Sequence, residues 1–290
     1  MVQKSNNLSY IKNFFWLSLD FMSKVIIVTY ANYYIFNSLS QSEYGVISFL
    51  NNIIFLLFPV ISFGSNLTFL KRLSGAKKIT LLNEEFSKGF SIRLVTSVVV
   101  FVILTTLYVS NIIETYVFIL FITLCFELLY IYRELFLAKN KNENFTLSNF
   151  IADIFFLGLI FYLFQNNILD IFFLCLAYSL RSFIRLFLYF CLASFKIDVT
   201  FNFDFDLNYL KKIFIESYPL IFSTISSIFI VVLSQYLIKT YIGENELGIY
   251  SASFYLVTLL MTFFSIYSNS LVEFTFKNRE EKSKNSKIIF

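Results

Sequence analysis

The sequence predicts an all-α integral membrane protein with about eight transmembrane helices, from three observations. Hydrophobic residues make up 58% of the chain and charged residues only 14%, which is far from the composition of soluble domains. Long apolar stretches alternate with short polar links. The basic residues concentrate in every second link, as they do when a chain crosses a membrane repeatedly.

A helix that crosses the bilayer needs about 20 mostly apolar residues. The stretches that satisfy this, in order, lie near residues 14–36, 45–70, 92–110, 115–137, 147–165, 168–192, 213–238 and 247–272. Lys12 leads into the first stretch, and Lys71 and Arg72 end the second. Arg93 opens the third stretch, the fourth ends before Lys139, and Lys211 and Lys212 lead into the seventh.

The links of the opposite side contain almost no positive charge. They read NSLSQSE, NIIE, QNN and KTYIGENE, with Lys239 as their only basic residue. By the positive-inside rule, this asymmetry predicts a multi-pass protein of the cell membrane with both termini in the cytoplasm.

The residues that most enzymes and metal sites use are scarce. The chain has no histidine and lacks a glycine-rich phosphate loop, so neither an enzyme nor a cofactor or metal site is expected. Asp204-Phe205-Asp206 matches the Asp-x-Asp pattern of many glycosyltransferases, but a short strand or loop gives the same alternation. The basic residues lie in short runs between apolar stretches, which excludes a nucleic-acid-binding domain.

The two ends of the chain contain an internal repeat. LSYIKNFFWLS (residues 8–18) matches LNYLKKIFIES (207–217), and SEYGVISF (42–49) matches ENELGIYSASF (244–254). An even number of predicted spans separates the copies, so the repeat is parallel, as in transporters built around a site at the middle of the membrane. We expect a six-helix bundle at residues 1–206, and the first two helices of a second bundle with a cytoplasmic tail at 207–290.

Three segments resemble the polysaccharide transporters, or Wzx-type O-antigen flippases, of the multidrug/oligosaccharidyl-lipid/polysaccharide exporter superfamily. They are LSYIKNFFWLSL, LSQSEYGVISF and YPLIFSTISSIFIVVLSQYLIKTYIGENELGIYSASF. The resemblance implies alternating access that carries a lipid-linked oligosaccharide, such as an O-antigen unit of lipopolysaccharide, to the outer leaflet of the inner membrane. Its implied partners are this lipid substrate, membrane lipids and other glycan-assembly membrane proteins.

The chain departs from the family pattern in three places. Ser234 stands where many relatives carry an acidic residue, and Ser40 stands where many carry glycine. The helices that the family implies after residue 273 do not follow, and KNREEKSKNSKIIF resembles the cytoplasmic link that leads to them. A truncated chain is therefore expected.

Charged residues inside predicted spans are the candidates for a functional site, because such charges are costly in a membrane. The candidates for binding a diphosphate or acidic sugars are Lys24, Arg181 and Arg185, and those for counter-charges or proton carriers are Asp20, Glu127 and Asp153. The alternative is that Asp20 with Lys24 and Asp153 with Arg181 are structural ion pairs, while Arg185 reaches to the inner surface. Pro59 and Gly64 in the second span and Pro219 in the seventh are candidate hinges.

Three other functions are compatible with parts of the sequence. A cation-coupled drug or metabolite exporter of the same superfamily would have a more acidic cavity. An integral glycan polymerase or ligase would have a long outer loop with Arg or His, whereas the outer links here are short. An inactive remnant of a longer transporter is the remaining alternative.

Overall fold

The structure, a computed structural model, describes residues 2–76, 78–139, 141–197 and 199–261, with side chains from residue 15 onward. Within these ranges every regular element is a helix. The helices are α1 (Val2–Ser38), α2 (Gln41–Ile61), α3 (Asn66–Gly75), α4 (Ile79–Val109), α5 (Thr115–Leu128), α6 (Ile131–Ala138), α7 (Asn142–Gln165), α8 (Ile171–Lys196), α9 (Leu207–Tyr241) and α10 (244–261).

Six helical segments in the described part of the chain are long and apolar enough to cross a membrane. They are α2, α4, α5 together with α6, α7, α8 and α9. The prediction of an all-α, multi-pass membrane protein is confirmed, and the total of eight spans stays a prediction. The end of the predicted eighth span and the predicted cytoplasmic tail lie outside the described residues.

Two of the predicted spans are broken. The second span ends at Ile61, turns through residues 62–65 and continues as α3. Gly64 therefore lies in a turn and not inside the second helix, because Phe63 and Gly64 both have a positive φ, 55° and 56°, that an α-helix does not allow. The fourth span breaks at residues 129–130, between α5 and α6.

Arg93 on α4 connects these two breaks. The sequence placed it in a basic inner link, but it is only 2% exposed. Its guanidinium donates to the Leu128 carbonyl at the end of α5 (3.3 Å) and to Ser65 Oγ (2.9 Å) and Asn66 Oδ1 (2.5 Å) at the start of α3. Backbone groups freed by a broken helix need partners inside the protein, and Arg93 supplies one of them.

The helices pack around two apolar cores. One core lies between the short helices α3 and α6 and their neighbour α4, and includes Phe69, Phe86 and Phe136. The other is built by α1, α2, α5, α7 and α8 and includes Ile35 and Leu174. Helix α1 packs along α7, and α8 packs against both α5 and α7, so charged residues on α7 and α8 can meet.

The two copies of the glutamate–glycine repeat occupy the same positions in their helices. Glu43 is the third residue of α2, where its side chain and that of Ser40 form a capping box. Gly45 and Gly248 are both the fifth residue of their helices and lie against each other. A β-carbon on Gly45 would lie 2.7 Å from the Gly248 nitrogen, and one on Gly248 would overlap the carbonyl of Gln41. Glycine is therefore required where the first turns of α2 and α10 meet.

Helix α9 packs along α2 and α3. Thr68 and Ser217 hydroxyls lie 2.7 Å apart, and Arg72 Nη2 lies 2.8 Å from Glu216 Oε1. Burial acts to lower the pKa of the Arg72 guanidinium, but its hydrogen bond to Glu216 and the nearby Tyr209 and Glu85 raise that pKa overall. The Arg72 guanidinium therefore stays charged beside Glu216.

The glycine contact gives a test of the helix packing. We expect Gly248→Ala to lower the free energy of unfolding by about 1–3 kcal/mol, because the added methyl group has no space. Thermal unfolding in detergent micelles measures the effect. The matched control is Gly158→Ala on α7, whose β-carbon would meet nothing within 4 Å and which should be neutral or slightly stabilising. Equal stability of the two variants would contradict the α2–α10 contact.

Candidate functional site

A cavity of about 550 Å³ lies among α1, α2, α5, α8 and α10. It contains three of the sequence-predicted residues: Glu127 from α5, and Arg181 and Arg185 from α8. Since Arg181 and Arg185 are four residues apart on one helix, their side chains share a face. The remaining lining residues are Val28, Asn32, Tyr44, Ile47, Ser48, Asn51, Asn52, Ile54, Phe55, Thr123, Tyr178, Ser182, Ser251, Phe254, Tyr255 and Thr258.

A single carboxylate holds both arginines. Asp153 on α7 is fully buried, and its Oδ1 accepts hydrogen bonds from Arg181 Nε (2.8 Å) and Arg185 Nη2 (3.0 Å). Arg181 Nη2 lies 2.7 Å from the same oxygen. The predicted Asp153–Arg181 pair is present, and Arg185 joins it instead of reaching to the surface as the alternative expected. Asp153 thereby fixes the orientation of both guanidiniums.

The arginine pair keeps donors that no protein group uses. Each guanidinium has five N–H groups, and one shared carboxylate oxygen cannot accept them all. Arg185 Nε is buried and has no partner in the described part of the chain. The face of Phe156 lies 5.0 Å from the Arg181 guanidinium, and Tyr130 lies 5.9 Å from that of Arg185, so aromatic rings support both cations.

Lys24 and Asp20 form a separate cluster beside the cavity. Lys24 Nζ lies 2.8 Å from Asp20 Oδ2, as the spacing of four residues predicted. Asn149 donates to Asp20 Oδ1 and accepts from the Tyr189 hydroxyl, both at 2.8 Å, which links α1, α7 and α8. Lys24 is not one of the cavity-lining residues, although it is near enough to Asp153 and Arg185 to interact with them electrostatically.

Among the three candidate acids, only Glu127 lines the cavity. Asp20 and Asp153 are both engaged in the ion pairs just described, and both are buried. Glu127 is half-buried on α5, within electrostatic range of Arg181 and Arg185. The structure thus separates one acid that a ligand could reach from two that hold cations in place.

Sequence reasoning missed the neutral polar side chains of the cavity, chiefly Asn32, Asn51, Asn52 and Tyr255. Asparagine and tyrosine are common in this chain, so their presence in a span drew no attention. The adjacent pair Asn51-Asn52 within an apolar span was the available signal, since polar side chains there normally face protein or a cavity.

The three candidate hinges lie close to the α2–α9 packing. Pro59 is inside α2, one turn beyond the last lining residue of that helix, and Pro219 is inside α9. Gly64 packs directly on α9, because a β-carbon at this position would lie 2.6 Å from Ile221 Cγ1. Their role as hinges stays a prediction.

The Asp-x-Asp pattern has a structural explanation. Asp206 caps the N-terminus of α9 by accepting hydrogen bonds from the backbone N–H groups of Asn208 (2.8 Å) and Tyr209 (3.3 Å). The backbone N–H of Asp204 donates to Ser91 Oγ. Within the described ranges no group of three or more His, Cys, Asp or Glu residues could hold a metal ion.

Comparison with known families gives one match. Residues 10–272 match the model of the polysaccharide biosynthesis protein family, which confirms the resemblance seen in the sequence. Neither the comparison with curated proteins nor that with solved structures gives a match. Because the family match covers most of the chain, the protein belongs to the polysaccharide biosynthesis protein family, that of the polysaccharide transporters and O-antigen flippases.

Proposed function

We propose that the protein is a flippase that moves a lipid-linked oligosaccharide from the cytoplasmic to the outer leaflet of the cell membrane, and that it is not an enzyme. The family and the membrane-spanning helices support transport of a polysaccharide precursor. The observation that carries the proposal is the arginine pair in the cavity, whose hydrogen bonds within the described residues go to one oxygen of Asp153 and leave Arg185 Nε unpaired.

The arginine pair suits a diphosphate. A guanidinium binds two oxygens of a phosphate at once, and two guanidiniums side by side match a group with several charged oxygens. A charged side chain inside a membrane is costly unless it has a partner, and Asp153 offers one oxygen to two cations. A phosphate ligand would satisfy the remaining donors.

Glu127 has the opposite effect on such a ligand. Its carboxylate lines the same cavity as the arginine pair and lowers the positive potential there. We propose that Glu127 acts as a counter-charge that keeps substrate binding weak enough for release. A transporter needs this balance because a substrate that binds too tightly is not released.

Alternating access is supported by the way the repeat units meet. Gly45 and Gly248 meet at the first turns of α2 and α10, beside the lining residues Tyr44 and Ile47, and by the positive-inside rule we expect these first turns on the outer side. Pro59, Gly64 and Pro219 lie farther along the same helices or their connecting turn, where bending would separate those first turns. We propose that the outer contact opens while the repeat units move as bundles.

The lining favours this function over the alternatives. A cation-coupled exporter would be expected to have an acidic cavity, whereas two arginines and one glutamate line this one. A glycan polymerase would need reactive groups in a long outer loop, and the links between α1 and α2 and between α7 and α8 are only a few residues long.

The arginine pair can be tested in proteoliposomes that contain the 290-residue protein and a fluorescent polyprenyl-diphosphate oligosaccharide. We expect Arg181→Gln and Arg185→Gln each to weaken binding about tenfold or more, because each loses charge-assisted hydrogen bonds to phosphate. Transfer is measured by chemical quenching of the probe in the outer leaflet of the vesicle.

Arg133→Gln is the matched control, since Arg133 is an exposed arginine of α6 outside the cavity. Unchanged binding and transfer in both cavity variants would show that the arginine pair does not bind the diphosphate. Absence of transfer by the wild-type protein in either direction would contradict the flippase assignment itself.

Glu127→Gln should act in the opposite direction. Loss of its negative charge leaves the arginine pair less compensated, so we expect the affinity for the polyprenyl diphosphate probe to rise several-fold and transfer to slow. Equilibrium binding in detergent micelles, combined with the transfer rate, separates the two effects. Weaker binding in this variant would show that Glu127 is not a counter-charge.

A further inference from the structure

The lining of the cavity divides into a charged and an uncharged part. The side chains that carry charge, Glu127, Arg181 and Arg185, come from α5 and α8. The lining from α1, α2 and α10 contains no charged residue, but it includes several amides and hydroxyls. A substrate with one charged and one neutral portion would match this division.

On the uncharged part of the lining, the side chains of Asn32, Asn51 and Tyr255 make no hydrogen bond to another group in the described part of the chain. Asn32 is 7% exposed, and its carboxamide makes no hydrogen bond within the described residues. The Tyr255 hydroxyl is buried and likewise unpaired there, and no side-chain hydrogen bond is found for Asn51 in the same part of the chain. A buried unpaired polar group such as the Tyr255 hydroxyl costs about 1–3 kcal/mol, and Asn32 and Asn51 line the same cavity, so the three side chains can receive a hydrogen-bonding partner there.

The neighbouring polar residues are already paired and hold this part of the lining in shape. Asn52 Nδ2 donates to Gln235 Oε1 at 2.8 Å. Gln235 Nε2 in turn lies 3.3 Å from Ser48 Oγ and 3.1 Å from Ser251 Oγ. Gln235 is fully buried on α9, so this cluster ties α2, α9 and α10 together, and Asn32, Asn51 and Tyr255 take no part in it.

Asn51 and Tyr255 lie at a depth similar to that of Arg181. Arg181 and Asn51 each follow the first residue of their helix by ten residues, and Tyr255 follows the start of α10 by eleven. At the helical rise these spacings correspond to about 15 Å, near the middle of the membrane. A sugar joined directly to a diphosphate on Arg181 would therefore lie beside Asn51 and Tyr255.

We infer that the lining from α1, α2 and α10 is a subsite for an uncharged sugar, in which Asn32, Asn51 and Tyr255 hydrogen-bond hydroxyl or acetamido groups. This inference rests on the proposed function, because the diphosphate on the arginine pair places the sugar. The rings of Phe55 and Phe254 supply apolar surface for the sugar ring. An acidic sugar is disfavoured, because its carboxylate would lose water without meeting a cation on this part of the lining.

Binding of three probes to the full chain in detergent micelles tests the subsite. The probes are a polyprenyl diphosphate, the same lipid with one neutral N-acetylhexosamine, and the same lipid with one hexuronic acid. We expect the wild-type protein to bind the neutral glycolipid more tightly than either of the other two. The quantity to compare is the affinity for the neutral glycolipid divided by the affinity for the bare lipid. We expect Asn32→Ala to lower this ratio about five- to tenfold.

Asn37→Ala is the matched control, because Asn37 is an exposed asparagine of α1 that bonds to the Tyr33 carbonyl outside the cavity. Its affinity ratio should equal that of the wild type. The affinity of Asn32→Ala for the bare lipid and its thermal unfolding report whether this variant is folded. Tyr255→Phe, which removes one hydroxyl, is a second variant for the same affinity ratio.

The outcomes distinguish the subsite from the function it rests on. If the wild type binds none of the three lipids, the proposed function is wrong. If it binds the bare and the neutral lipid equally, or if Asn32→Ala and Tyr255→Phe leave the ratio unchanged, the lipid site stands and the sugar subsite is wrong. Equal or tighter binding of the hexuronic acid lipid would overturn the preference for an uncharged sugar.

Discussion

The structure depends on one constraint: charges and unpaired backbone groups enclosed by a membrane must find partners within the protein. Arg93 meets this requirement at the breaks between α2 and α3 and between α5 and α6. Asp153 meets it for two arginines at once. The two cases differ in access, because Arg93 is enclosed by protein whereas Arg181 and Arg185 face a cavity.

The internal repeat acquires a physical role from this packing. Glu43 caps the first turn of α2, and Gly45 and Gly248 allow the first turns of α2 and α10 to touch. Two copies of one short motif thus meet each other beside residues that line the cavity. Farther along, the two helices are also joined through Gln235, so the proposed opening of the outer contact requires these hydrogen bonds to break or move.

The sequence predicted the helices and the pairing of charges well, because both follow local rules. Apolar length indicates a span, and residues four apart on a helix share a face, which places Asp20 beside Lys24 and Arg181 beside Arg185. The break at residues 129–130 was not predictable, since Leu129 and Tyr130 lie within an apolar stretch without a turn sequence. Residues 62–65 (SFGS) do contain the Ser and Gly typical of a turn, but the apolar residues on both sides outweighed this signal. The burial of Arg93 depends on those breaks, so its position near a basic link pointed to the wrong environment.

The candidate site was predicted only in its charged half. Burial of a charge in a membrane is rare enough to be noticed in a sequence, whereas a single asparagine in a span can equally serve helix packing. Asn52 and Asn32 illustrate this, because one bonds to Gln235 and the other has no partner within the described residues. The sequence does not distinguish an asparagine that packs helices from one that faces the cavity unpaired; the positions of the side chains around the cavity do.

The proposed role of Asp153 is to orient the arginines without contacting the substrate. A double-mutant cycle of Asp153→Asn and Arg185→Gln, measured as affinity for polyprenyl diphosphate, tests this role. We expect strong non-additivity, because Asp153→Asn should weaken binding in the wild type and much less in the Arg185→Gln background. Additive effects of the two substitutions would show that Asp153 does not act through Arg185.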